Sequence, residues 1–209
     1  MPSFAVSWLE LLGIRSEQLV RYDPNHDVIQ ADELLMPTIM HNGNRISDTF
    51  SDVVTFFRQQ LGIWPADQAG TRFPDRIFIS RARTSQTRAL LNRDRIEAIA
   101  QRAGFTLVYP EQMPLLEQVQ LFAHARQVIG EYGSGLHSTI FSGRGTIVCG
   151  LRGDAPHPGY IQSGIGYVLD QPTGYVFGET IKGHPAQAFS LDENLFEKCL
   201  QFVFRGDAL

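Results

Sequence analysis

Cysteine is nearly absent: Cys149 and Cys199 are the only two in 209 residues. Two cysteines build neither a disulfide framework nor a four-cysteine zinc site. One sits in the apolar run TIVCGL and the other in a helix-like run, so both read as buried apolar side chains. No D-x-D occurs, which removes the usual carboxylate pair that holds a divalent metal through substrate phosphates. The dinucleotide fingerprint G-x-G-x-x-G is also missing. No apolar stretch reaches the length of a membrane span. The first residues, MPSFAVSWLELLGIR, lack a basic region and are interrupted by Glu10, so they do not read as a signal peptide. With no N-x-S/T sequon either, the chain reads as cytoplasmic, in a reducing setting.

Lysine is as scarce as cysteine, with two residues against sixteen arginines. Arginine suits bidentate phosphate recognition, and a GC-rich genome gives the same bias. The net charge of −4 argues against general nucleic-acid binding. Residues 72–102 run against that sum: eight arginines face only Asp75, Asp94 and Glu97. One basic segment in an acidic protein points to a local anion site. A hydrophobic content of 43% and a charged content of 19% describe a globular chain with a real core.

Hydrophobic patterning divides the chain. Residues 1–62 read as the end of an N-terminal domain with a connecting helix, and 63–75 as a linker. Within the first part, 4–13 reads as a short helix, 26–35 as strand material, 36–48 as a loop and 49–61 as a helix. From residue 76 a regular alternation begins: strand 76–80, helix 88–104, strand 105–110, helix 114–127, then strand, glycine turn and helix over 128–145, and strand 146–151. A glycine-, proline- and histidine-rich loop is expected at 152–188 and a last helix near 191–205. Apolar strands alternating with helices make a parallel sheet covered on both faces. The fold class is therefore α/β, with a Rossmann-like domain over 76–209.

Three stretches carry candidate chemistry. Gly130-Glu131-Tyr132-Gly133-Ser134-Gly135 lies at a strand-to-helix turn, where glycines let a backbone approach a ligand and helix N–H groups face an anion. Read from the residues alone, it is equally a tight turn with close helix–strand packing. Ser80 to Arg88, SRARTSQTR, ends another strand; Arg81, Arg83 and Arg88 there suit a diphosphate, or form a solvated basic loop. Tyr109-Pro110-Glu111-Gln112, with Glu117 and Gln118 beyond, offers groups for ribose or a base edge, or is an exposed loop before a helix whose first turn favours acid. Ser134 is no nucleophile-elbow serine, because Tyr132 and Leu136 stand where glycines are needed. His124, His157 and His184 show no metal-ligand spacing.

Taken in order, the segment from RIFISRARTSQTR to GRGTIVCGL resembles the C-terminal domain of glycosyltransferase family 61, whose bacterial members are often called capsular polysaccharide biosynthesis proteins. The pattern has a strand ending in Ser-Arg, an Arg then Asn opening a helix, Gly-Phe before a strand ending in Pro-Glu, a Glu-Gln helix, and a glycine turn ending in Gly-Leu. The resemblance implies the C-terminal half of a GT-B fold and inverting transfer from a nucleotide sugar, typically a UDP-sugar, to a glycan, with no metal or other cofactor. It implies that Arg81 and Arg88 contact the diphosphate with Asn92 nearby, that Tyr132, Gly133, Ser134 and Gly135 face phosphates or sugar, and that Glu111, Glu117 and Gln118 lie toward the nucleoside. It assigns no catalytic base. Tyr132 stands where the family often has His, Ser134 where it has Ala, and His137 where Thr is common. About 60 residues precede the domain, so the expected partners include an N-terminal half supplied elsewhere. Two rival expectations are a non-catalytic nucleotide-sugar-binding or interaction module and an unrelated Rossmann-like dinucleotide enzyme.

Overall fold

The computed structural model describes residues 3–36, 39–63, 73–83, 88–155, 159–184 and 187–204. The chain opens with α1 (Ser3–Leu11), the hairpin β1 (His41–Asn42) and β2 (Arg45–Ile46), and α2 (Phe50–Gln60). It continues with β3 (Arg76–Ile79), α3 (Arg93–Arg102), β4 (Thr106–Val108), α4 (Leu115–His124) and β5 (Gln127–Glu131). The short α5 (Ser134–His137) runs into a 3-10 turn over Ser138–Phe141. Then come β6 (Ile147–Gly153), α6 (Ile161–Leu169), β7 (Thr173–Thr180), β8 (Phe189–Ser190) and α7 (Glu193–Val203).

Six strands form one sheet in the order β4-β3-β5-β6-β7-β8. All neighbours are parallel except β7 and β8. Numbered from β3, the parallel strands run 2-1-3-4-5, a doubly wound order of the flavodoxin-like kind. The chain reverses direction across the sheet between β3 and β5, and the crevice beyond their carboxyl ends is where such sheets take ligands.

The strand alternation sorts side chains onto two layers. Phe78, Ile129, Cys149, Leu151 and Val176 pack with Ile96, Ile99, Phe196 and Leu200 of α3 and α7. Ile77, Ile79, Val128 and Val148 pack with Val119, Phe122 and Leu136 on the α4 side. That second layer also receives α1 and α2: Trp8 stacks on Phe141 at 5.4 Å, and Arg58 donates from Nη2 to the Phe141 carbonyl at 2.6 Å. Cys149 is buried in the first layer and Cys199, half-buried, packs against it.

Four expectations need correction. Residues 26–35 form no strand; Val28, Leu34 and Leu35 are exposed, and none of the described residues pairs with them as a strand. The 36–48 loop contains the β1–β2 hairpin, turning at Gly43. The helix expected from residue 88 begins at Arg93, because 89–91 pairs with Phe189: Phe189 donates to the Ala89 carbonyl at 2.9 Å and Leu91 to the Phe189 carbonyl at 2.8 Å. The loop expected at 152–188 holds α6 and β7; Gly164 and Gly166 lie within α6, packed against Asn44 and Thr173, and Gly178 of β7 packs against Ser190. Most of the 63–75 linker, and residues 84–87 of the SRARTSQTR stretch, lie outside the described residues, as does His157.

Candidate functional site

The site forms where β3 and β5 end. Strand alternation turns Ile129 and Glu131 toward α3, and Val128, Gly130 and Tyr132 toward α4. Glu131 is 2% exposed. A buried carboxylate needs a partner, and the first turn of α3 supplies one. Arg93 donates from Nε to Glu131 Oε1 at 2.7 Å and from Nη2 to Oε2 at 2.9 Å. The Arg81 backbone N–H donates to the same Oε1 at 3.0 Å. Glu131 thus fixes the chain leaving β3.

From that fixed backbone the Arg81 side chain reaches across the glycine turn. Its Nη1 donates to the Tyr132 carbonyl at 3.1 Å. A Cβ on Gly133 would lie 2.7 Å from this nitrogen. Gly133 is extended, with φ 171° and ψ −175°, so the glycine is there to admit the guanidinium and not to relieve backbone strain. Burial, and then the neighbouring Arg88 charge, lower the Arg81 pKa, while Glu131 and Glu111 oppose them. Arg88, Arg93 and Glu111 all lie within electrostatic reach of Arg81.

Behind this pair Glu97 is buried, with Oε1 unpaired among the described residues. Burial raises its pKa, and hydrogen bonding to Ser80 and the Arg93 charge only partly offset this. Ser80, fully buried, accepts at Oγ from the Ala82 N–H at 3.1 Å.

The remaining expected residues divide in two. Arg88 lies near Arg81 and lines a small cavity with Tyr132 and Arg152. Ser134 is exposed at the start of α5, and Gly135 packs toward Ile79, 3.4 Å from where its Cβ would be. Arg83 lies over Tyr109, its Cζ 5.7 Å from the ring centroid. Glu111 is exposed in the turn after β4. Asn92, by contrast, spends its amide on the chain before α7: it donates to the Leu191 carbonyl at 2.8 Å and accepts from the Leu191 N–H at 3.2 Å. Gln118 turns back to the Met113 carbonyl at 2.9 Å, and Glu117 stands half-buried in the first turn of α4.

Three features escaped the sequence reading. The first is the Arg93–Glu131 pair, signalled only by an acid ending a buried strand. The second is Arg152, 6% exposed on β6, with aromatic rings around its guanidinium. Its signal was an arginine in register with Val148 and Gly150 of an apolar strand. The third is His137, whose Nδ1 lies 3.0 Å from Gln162 Oε1, while Gln162 Nε2 donates to Thr139 at 2.7 Å. Burial lowers the His137 pKa, the Gln162 hydrogen bond opposes that, and Arg88 adds to it.

Among the described residues no three of His, Cys, Asp and Glu converge as a metal-holding group, and no helix is long and apolar enough to cross a membrane. The chain can hold an anion at the switch point through arginines positioned by a buried carboxylate. The model of the family described as Glycosyltransferase 61 matches residues 1–149, which contain Arg81, Arg88, Arg93, Glu131 and the glycine turn but not Arg152. No curated protein matches the chain.

Proposed function

The chain belongs to glycosyltransferase family 61, and from that premise we propose that it binds a nucleotide sugar of the UDP class and takes part in inverting transfer of the sugar to a glycan or polysaccharide acceptor. The observation that carries this reading is the crossing of Arg81 over Gly133 at the switch point, with Arg88 and Arg93 beside it. In this reading Arg81, Arg83 and Arg88 meet the diphosphate, and Ser134 and Gly135 border the phosphates or the sugar. Glu111 lies toward the nucleoside, with Glu117 and Gln118 farther along the same side. Asn92 acts from behind, fixing the segment that carries Arg88. Tyr132 contributes its carbonyl to Arg81 and its ring to the wall of the site.

The chemistry asked of these residues is leaving-group stabilisation. An acceptor hydroxyl attacks the anomeric carbon, the bond from that carbon to the diphosphate oxygen breaks, and the nucleoside diphosphate departs with the electron pair. Arginines held in place before reaction stabilise the charge that develops on it, with no metal required. The acceptor's proton passes to a general base. That base belongs to the acceptor half of a two-domain GT-B arrangement, in which 76–209 is the donor half.

A second reading, a nucleotide-sugar-binding module that works only with a partner, draws on one observation. Val20, Val28, Leu34, Leu35, Met36 and Ile39 are all exposed. An apolar stretch of this kind fits a surface covered in an assembly.

The test is calorimetric titration of UDP into the wild type and Arg81→Ala. Loss of a charged hydrogen bond weakens binding by about 1–3 kcal/mol, or about 5–150-fold. Unchanged affinity in the variant removes Arg81 from the site.

A further inference from the structure

Two arginines near the crevice, half-buried Arg93 and buried Arg152, are treated differently. Arg93 is neutralised by Glu131. Arg152, on β6, has no carboxylate among the described residues. Its one hydrogen bond runs from Nη1 to the Gly159 carbonyl at 3.3 Å. Three aromatic rings also surround it: its Cζ lies 4.4 Å from the Tyr160 centroid, 5.1 Å from that of Tyr132 and 5.7 Å from that of Phe177. Aromatic faces attract a guanidinium, but they accept few of its five N–H donors. Charged side chains this deeply buried are almost always paired.

Arg152 also lines a cavity, together with Arg88, Tyr132, Gly153, Ala155, Thr180 and Gln187. Exposed Asp154, next to Gly153 and Ala155 in sequence, accepts at Oδ1 from the Thr180 N–H at 2.9 Å. The stretches of sequence adjoining the lining residues, 84–87, 156–158 and 185–186, contain no Asp or Glu. Two arginines, Arg88 and Arg152, thus line the cavity, and Arg152 has no carboxylate partner among the described residues. It is small, about 30 Å³, a volume that suits a single carboxylate. It shares Arg88 and Tyr132 with the donor crevice, and it lies one strand beyond the β3–β5 switch point.

We propose that the cavity at Arg152 is a carboxylate subsite beside the diphosphate-facing Arg88, so that the transferred sugar is a uronic acid. This rests on the donor-binding reading above and narrows it. Arg152 is the specificity-determining residue: its planar fork takes the sugar carboxylate in a bidentate pair, and the rings of Tyr132, Tyr160 and Phe177 keep the fork aimed. A neutral hexose leaves that buried charge unanswered, and a site built for a polar group rejects the analogue lacking it.

The experiment measures the affinity of the full chain for UDP, UDP-glucose, UDP-galactose, UDP-glucuronate and UDP-galacturonate by calorimetry. The expected result is that at least one uronate binds about 10–100-fold more tightly than its neutral counterpart, the range for a hydrogen-bonded charge. Arg152→Met should erase that preference by lowering uronate affinity toward that of the neutral sugar, and Arg152→Lys should retain only part of it. If Arg152→Met does not fold, the wild-type ratio and Arg152→Lys still decide. UDP and neutral sugars binding as well as both uronates overturns the carboxylate subsite and leaves the donor reading standing. A uronate preference that survives Arg152→Met overturns the assignment to Arg152. No binding of UDP or of any UDP-sugar overturns the donor reading, and the subsite with it.

Discussion

The Arg81 guanidinium occupies the space that a side chain on Gly133 would need: its Nη1 lies 2.7 Å from the position a Cβ would take. One strand end thus reaches over the other, and a backbone carbonyl, that of Tyr132, holds it there. Gly130, three residues earlier, is a glycine for a different reason. A Cβ there would lie 2.7 Å from Ile79 Cβ and 3.1 Å from the Ile79 carbonyl oxygen, in the body of the sheet.

The two glycines therefore predict opposite phenotypes. Gly130→Ala collides with strand β3 and should lower stability by about 1–3 kcal/mol, the cost of overpacking a core. Gly133→Ala need only displace the end of a long side chain, so its stability should stay within about 0.5 kcal/mol. Its affinity for UDP should fall as far as that of Arg81→Ala. Urea unfolding beside UDP titration of both variants checks this. A Gly133→Ala protein that unfolds early and binds normally contradicts it.

Glu131 should be a stability residue first. Removing one partner of a buried ion pair leaves the other charge unanswered, at about 3–5 kcal/mol. Arg93 keeps some solvent contact, 17% of its side chain, so Glu131→Ala should fall at the lower end, about 3 kcal/mol. Arg93→Met with Glu131→Leu, tested as a double variant, should recover much of that loss. The readout is the midpoint of urea unfolding for both single variants and the double. Equal and additive losses would show that the two residues do not act as a pair.

His137 predicts a pH dependence. Its folded pKa is lowered from the ordinary 6.5, first by burial. The unfolded chain therefore binds the proton more readily than the folded one. Stability is full above about pH 6.5, falls as pH drops from there through the lowered folded value, and then levels off. Glu97 acts with the opposite sign: its raised pKa means that stability falls as pH rises from its ordinary 4.5 to the folded value. Melting temperatures of wild type, His137→Gln and Glu97→Gln between about pH 4 and pH 8 separate the two contributions. His137→Gln should flatten the acid-side loss. A curve unchanged in that variant would mean that the imidazole is not held neutral by the fold.

The exposed stretch before the hairpin makes a negative prediction. Leu34 and Leu35 are 73% and 82% exposed and bury little. Leu34→Ser with Leu35→Ser should change stability by less than about 0.5 kcal/mol for each substitution. A clear drop in melting temperature would mean that this segment is covered in solution.

Local signals made much of the fold legible. RIFI, VIGE and TIVCGL announced buried parallel strands, and Gly104, at φ +87°, ended α3 as expected. Arg81 and the glycine turn were both placed at strand ends before their contact was known. What stayed hidden depended on register between distant segments. Pairing of 89–91 with Phe189 shortened α3 at its start. Tyr160, Phe177 and Arg152 come from a helix start and two strands, and no spacing in the sequence joins them. The strand-like 26–35 misled for the converse reason: a strand needs a partner edge, and alternation alone supplies none.

The most direct measurement is the melting temperature of the full chain with and without UDP, against GDP, CMP and NAD. A ligand at about 100 times its dissociation constant adds about 2.7 kcal/mol to stability, or several degrees for a chain of this size. The account predicts a rise with UDP that exceeds the rise with any of the other three and that Arg81→Ala reduces. A rise with NAD in its place, or none with any nucleotide from a cooperatively folded sample, would contradict the assignment of the β3–β5 crevice to a nucleotide-sugar donor.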